Sequence, residues 1–96
     1  MNKPISREDE SLLPSFSSHE EAWKYFTDLY GEDFVFQSAE YIGEQICYFY
    51  VLVINREDFE KGQITLLNEN IVSGLDYLYS HQPIQIMADG SIHIVH

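Results

Sequence analysis

The chain has 96 residues, of which 45% are apolar, and its 16 Asp and Glu against five Lys and Arg give a formal net charge of −11. This length is typical of one domain, and the apolar fraction favours a folded core over disorder. The charge argues against direct binding to nucleic acid or to an anionic membrane, because both attract Lys and Arg. It favours a basic protein as partner, mainly through faster association, although solubility alone would also account for it.

The expected compartment is the cytoplasm. The single cysteine, Cys47, rules out an intrachain disulfide. The absence of such a disulfide is typical of proteins in a reducing environment. The N-terminus lacks the basic-then-apolar pattern of a signal peptide. The longest apolar run, 46–54, has nine residues, whereas a membrane helix needs about 20.

The N-terminal segment carries two prolines and a polar cluster but no sustained periodicity. We therefore expect residues 1–15 to be a flexible tail, because chain ends fray unless something holds them. Residues 16–96 are then expected to form a single domain.

The first helix is predicted over about 18–30. Ser18 and Glu21 have the spacing of a capping box, in which the Ser hydroxyl and the Glu carboxylate each accept a backbone N–H at the helix start. Apolar residues then follow at helical intervals, and Gly31 is placed to end the helix.

A β-hairpin is predicted next, around the two-residue turn Gly43-Glu44. This turn gives the pairs Ile42–Gln45, Phe36–Val51 and Phe34–Val53. One face, expected in the core, then holds Phe34, Phe36, Cys47, Phe49, Val51 and Val53. The other face holds Val35, Gln37, Tyr41, Ile46, Tyr48, Tyr50, Leu52 and Ile54. Because both faces of the second strand are apolar, that strand is expected to be central and at least partly covered on both sides.

Two helical segments are predicted after this hairpin. Asn55 can cap a short helix with acidic residues in its first turn, and Gly62 would close it. Apolar residues at spacings of three and four predict a further helix over about 69–80. The pattern assigns no secondary structure to residues 63–68, for which a short edge strand is the alternative.

The C-terminal hairpin is predicted from its alternation of isoleucines with polar residues. A two-residue loop would mix the two faces, whereas the three-residue loop Ala88-Asp89-Gly90 pairs Ile86 with Ile92 and Ile84 with Ile94. Gly90 then takes the left-handed position of a bulge. The elements together predict a two-layer α+β fold, with an antiparallel sheet of four to five strands in two hairpins, packed against two to three helices.

No catalytic or metal-binding pattern stands out. Zinc needs three or four converging ligands, and the candidates are scattered: Cys47, His81, Asp89, His93 and His96. Cys47 is expected to be buried. Glu40 is the most notable carboxylate because it alternates with core-facing Phe34 and Phe36, but its place near the turn predicts contact with solvent. We therefore predict no enzyme activity, metal or cofactor.

The tyrosine-bearing face of the first hairpin is the predicted partner-binding site, with Gln37, Tyr41, Tyr48 and Tyr50. Tyrosine is enriched at interfaces because its ring packs while its hydroxyl stays hydrated. The alternative is that a helix covers this face. The predicted function is a non-enzymatic protein-binding or regulatory module, such as an inhibitor, immunity or adaptor protein, with a basic protein partner. A homo-oligomeric structural or regulatory protein and a small enzyme with an unrecognised site are the alternatives.

Overall fold

The computed structural model describes residues 2–69 and 77–96. The elements in chain order are α1 (Arg7–Ser11), α2 (His19–Tyr30), a short 3₁₀ turn (Gly31–Asp33), β1 (Phe34–Ile42), β2 (Gln45–Val53), α3 (Arg56–Glu69), β3 (His81–Met87) and β4 (Ile92–Ile94). The strands form one antiparallel sheet in the order β1-β2-β3-β4, so the predicted two-layer α+β fold is confirmed. None of the helices among these residues combines the length and the apolar character that crossing a membrane requires.

Helix α2 begins and ends where its sequence signals predict. The Ser18 hydroxyl accepts the backbone N–H of Glu21 at 3.2 Å. The Glu21 carboxylate does not complete a capping box on Ser18. It accepts instead the backbone N–H and the hydroxyl of Ser17, each at 2.9 Å, because Ser17 offers two donors. Gly31 ends the helix with a φ of 57°, and its N–H donates to the carbonyl of Thr27.

The main core lies between α2 and one face of the sheet. Its fully enclosed members are Ile5, Ala22, Phe26, Phe34, Tyr50, Leu52, Ile84, Ile86 and Ile94. The Phe34 ring stacks on Phe26 of α2 at a centroid distance of 5.2 Å and on Tyr50 of β2 at 4.5 Å. A smaller cluster, Val51, Val53 and Phe59, lies on the opposite face. Strand β2 is therefore central and covered on both sides, as predicted.

A β-bulge at Gln37 changes the register of the first hairpin. Pairing runs as predicted from Ile42–Gln45 to Ser38–Phe49, after which it shifts by one residue. The predicted pairs of Phe36 with Val51 and Phe34 with Val53 are therefore wrong; the observed pairs are Phe36–Tyr50, Val35–Val51 and Phe34–Leu52. Because side chains alternate along a strand, this shift places Phe34 and Phe36 on the face of Tyr50 and Leu52.

Helix α3 is longer than predicted. Asn55 caps it as expected, with its side-chain oxygen accepting the N–H of Asp58 at 3.1 Å. Gly62 lies inside the helix and does not end it. A Cβ at this position would overlap the ring of Tyr77, so the glycine allows that ring to pack against the helix. Residues 63–68 are helical, and the edge-strand alternative is wrong.

The helix predicted over 69–80 falls mostly outside the described residues. Tyr77 and Leu78, where the description resumes, are helical. The expected boundary between a tail and the domain at residue 15 stays a prediction. The structure adds that Ile5 is buried in the main core and that α1 lies between Ile5 and α2 in the chain.

The last hairpin has the predicted register, with Ile84 opposite Ile94 and Ile86 opposite Ile92. Gly90 has a φ of 90°, as a glycine bulge requires. Glycine is needed here for a second reason. A Cβ would collide with the backbone of Phe16 and Ser18, where the chain enters α2.

A buried amide ties both terminal segments to the sheet. The Gln82 side-chain oxygen accepts the N–H of Ile5 at 2.7 Å, and its nitrogen donates to the carbonyls of Ile5 at 2.9 Å and Val95 at 3.2 Å. Buried backbone groups are costly to leave without hydrogen-bond partners. The Gln82 side chain supplies these partners to Ile5, which does not itself lie in a strand.

Replacement of Gly90 should be more damaging than replacement of another glycine with positive φ. Gly43→Ala introduces backbone strain alone, because no atom beyond the chain neighbours lies within 4 Å of the added Cβ. This variant should lower the free energy of unfolding by about 1 kcal/mol. Gly90→Ala adds the collision with Phe16. Its free energy of unfolding, measured in urea, should fall by at least ~1 kcal/mol more than that of Gly43→Ala. Equal losses for the two variants would contradict the close approach.

Gln82→Leu should destabilise the fold by about 3 kcal/mol, because the backbone N–H and carbonyl of Ile5 lose their partner. Gln85→Leu on the same strand is the matched control, since Gln85 is half-buried and makes no side-chain hydrogen bond among the described residues. Urea unfolding of both variants measures the difference. A loss of unfolding free energy for Gln82→Leu no larger than for Gln85→Leu would count against this role of the Gln82 hydrogen bonds.

Candidate functional site

The structure separates the four residues predicted to bind a partner. Tyr41, Tyr48 and Tyr50 do lie on one face of the β1–β2 hairpin. However, Tyr50 is only 4% exposed, whereas Tyr41 is 77% exposed. Tyr48 is half-buried, and Gln37 is exposed at the bulge. Tyr41 and Gln37 are therefore accessible, and Tyr50 is part of the core.

The first turn of α2 covers the two inner tyrosines. The His19 ring stacks on Tyr48 at a centroid distance of 3.7 Å, with 17° between the ring planes. Its Nε2 lies 2.7 Å from the Tyr50 hydroxyl. The backbone N–H of His19 donates to the carbonyl of Ala88 at 3.3 Å and so fixes this end of the helix over the sheet. For Tyr48 and Tyr50, the alternative of a covering helix applies.

Burial keeps the His19–Tyr50 pair uncharged. It lowers the pKa of His19 and raises the pKa of Tyr50 to about 12, to which the neighbouring Tyr48 and Glu20 also contribute. Nε2 of His19 and the Tyr50 hydroxyl share a hydrogen bond, in which the tautomer of the neutral ring decides which group donates. Because Nε2 is engaged by Tyr50, it is not offered to a substrate, and the cluster acts as an anchor for α2.

The accessible part of the hairpin is the β1 edge, which we define as residues 36–42. Strand β1 is the first in the sheet order and has no strand on its outer side among the described residues. The carbonyl of Ile46 accepts from Ala88 towards β3, so its partner Tyr41 directs its own N–H and carbonyl away from β2. Ala39, two residues earlier, does the same. The strand therefore offers unpaired backbone groups.

Apolar side chains accompany these backbone groups. Phe36, predicted as core, is 54% exposed because the bulge turns it to the rim of the α2 face. Tyr41 and Ile42 are also exposed. The sequence pattern does not identify Phe36 and Ile42 as accessible, since the partner strand β2 is apolar on both faces and does not reveal the bulge in β1.

The chain segment that contains the β1 edge carries only acidic charge. The segment 34–55 contains no Lys or Arg, and its two carboxylates, Glu40 and Glu44, are exposed, as predicted for Glu40. Arg56, which follows this segment, bonds Asp33 at 2.7 Å and lowers the pKa of that carboxyl group. The edge therefore presents negative charge, and its own segment of the chain holds no counter-charge.

The other candidate residues do not converge. Cys47 is buried as predicted, and burial raises the pKa of its thiol, which makes it a poor nucleophile. His81 packs against the rings of Phe59 and Tyr77, whereas His96 bonds Glu10 at 2.7 Å. Across the part of the chain that the structure describes, no three His, Cys, Asp or Glu residues are placed to hold a metal ion.

The anchoring role of His19 predicts a pH dependence. Its pKa is lowered in the folded protein, so its contribution to stability is present above the unfolded pKa of about 6.5 and is lost as the pH falls towards the folded value. His19→Phe retains a ring over Tyr48 but cannot be protonated. The stability advantage of the wild type over this variant should shrink between about pH 7 and about pH 5 in urea unfolding. A constant difference would contradict the burial of His19.

Comparison with known proteins gave no match to the chain among protein-family models, curated proteins or solved structures. A function for this chain therefore depends on the chemistry of its own surfaces. The β1 edge is the surface on which exposed backbone groups, apolar side chains and uncompensated charge coincide.

Proposed function

We propose that this chain is a non-enzymatic protein-binding module whose β1 edge engages a basic segment of a partner protein. The observation that carries the proposal is the exposed edge strand, with the outward backbone groups of Ala39 and Tyr41 beside exposed apolar side chains. Soluble proteins usually protect such edges, because unpaired backbone groups form a template for another strand.

Strand addition is the binding mode that fits this edge. An extended segment would pair with the main chain of Ala39 and Tyr41, while the exposed rings of Phe36 and Tyr41 contact its apolar side chains. The bulge at Gln37 interrupts the strand, so regular pairing is expected only along residues 38–42. The edge would therefore accommodate a short segment.

Charge selects a basic partner over a second copy of the chain. If two β1 edges paired antiparallel through Ala39 and Tyr41, Glu40 of one copy would lie opposite Glu40 of the other, and segment 34–55 has no cation to offset the repulsion. A strand bearing Lys or Arg would meet these carboxylates favourably. The net charge of −11 would also accelerate the encounter, most strongly at low ionic strength.

Site-directed cross-linking tests this proposal. A photoreactive amino acid at position 41 should capture a discrete basic protein from the source cells, and the same group at Leu12, which is 75% exposed, should not. With the captured protein purified, Tyr41→Ser should weaken binding by at least about 1 kcal/mol and leave unfolding by urea almost unchanged. Leu12→Ser should change neither quantity.

Three outcomes would overturn the proposal. The first is equal capture from positions 41 and 12. The second is an affinity that does not fall as salt is added, because the attraction to Glu40 and Glu44 is screened by ions. The third is a dimer, found by light scattering, that Tyr41→Ser dissociates; this would assign the edge to self-association.

A further inference from the structure

A second surface lies where the N-terminal segment crosses the sheet beside β3. Here a cavity of about 630 Å³ opens between the two terminal segments and the start of β3. Its apolar wall consists of Pro4, Ile5, Ile54, Leu78, Tyr79 and Val95. The volume lies within the range of small-molecule sites, roughly 300–1,000 Å³.

The walls of this cavity are held by hydrogen bonds within the chain. Gln82 fixes Ile5 on one side and Val95 on the other, and the N–H of Val95 donates to the carbonyl of Pro83 at 3.0 Å. The Asn2 side chain donates to the carbonyl of Val53 at 2.8 Å. Segments distant in sequence therefore form the walls of this open cavity.

The described lining of the cavity differs in charge from the chain as a whole. No Asp or Glu is among the described residues that line it, whereas three other cavities on the described surface contain Asp9, Glu10 and Asp33 respectively. Lys3 lies at the rim and forms no ion pair with any described residue.

Several other polar groups at the cavity are engaged within the chain. The Gln82 amide is used by the backbone of Ile5 and Val95, and His96 bonds Glu10. The Nδ1 atom of His81 lies 3.2 Å from the Ser80 hydroxyl. Lys3 is the one Lys or Arg among the described lining residues, and its ammonium group has donors available for an anionic ligand.

We propose that this cavity binds an amphipathic anion with one apolar chain, placing the chain against Ile5, Ile54 and Val95 and the anionic group at Lys3. An apolar wall with one positioned charge at its edge is complementary to such a molecule. This proposal is independent of the β1 edge, because none of residues 36–42 lines the cavity. Either proposal can therefore fail without the other.

Calorimetric titration with decanoate, below the concentration at which it forms micelles, tests the site. Decyltrimethylammonium is the matched ligand, since it has the same tail and the opposite charge. The net charge of the protein favours the cation, so tighter, saturable binding of decanoate requires local recognition. The backbone NMR signals of Ile5 and Val95 should shift on addition of decanoate, and those of Tyr41 should not.

A charge-matched pair of variants locates the anionic group. Lys3→Gln should weaken decanoate binding about fivefold, as expected for one exposed ion pair. Arg7→Gln makes the same change in net charge but lies on α1 outside the cavity lining, and should leave the affinity unchanged. Absence of saturable binding, preference for the cation, or equal weakening by both variants would overturn the proposal.

Discussion

The extra residue at Gln37 determines which side chains of the first hairpin enter the core. Strand side chains alternate between faces, so a shift of one residue exchanges the faces of everything beyond the bulge. Only the shifted register places the Phe34 ring between Phe26 and Tyr50, where it joins α2 to the sheet. The same shift leaves Phe36 at the rim. The packing of α2 and the exposure of the β1 edge thus have one local cause.

The features that could be predicted from the sequence are those whose information is local. Ser18 and Asn55 cap helices because a side-chain oxygen accepts a nearby N–H, and the loop ending at Gly90 follows from the strict alternation of isoleucines. Strand β2 has no such alternation, since both of its faces are apolar, and its pattern is equally compatible with the straight and the bulged register. The position of Gly62 inside α3 does not follow from local sequence, because the close approach of Tyr77 depends on tertiary packing.

The candidate site was also predictable only in part, because some of its features depend on tertiary packing. The shared face of Tyr41, Tyr48 and Tyr50 follows from the alternation of strand side chains, but the cover over two of them depends on where α2 docks, through His19 and Ala88. The charge of the whole chain also conceals local differences. The segment of the β1 edge carries only acidic charge, whereas the described lining of the cavity beside β3 contains no Asp or Glu and includes Lys3. One acidic domain can therefore present two surfaces of different chemistry.

The contact of Gly90 with the chain entering α2 joins two distant segments through main-chain atoms. Its Cα lies against the backbone of Phe16 and Ser18, and the neighbouring Ala88 accepts the N–H of His19. Opening of either segment would break these contacts and expose the other. We therefore expect the two segments to open as one cooperative unit, whose amide hydrogens should exchange with solvent at a common free energy although the sequence separates them widely.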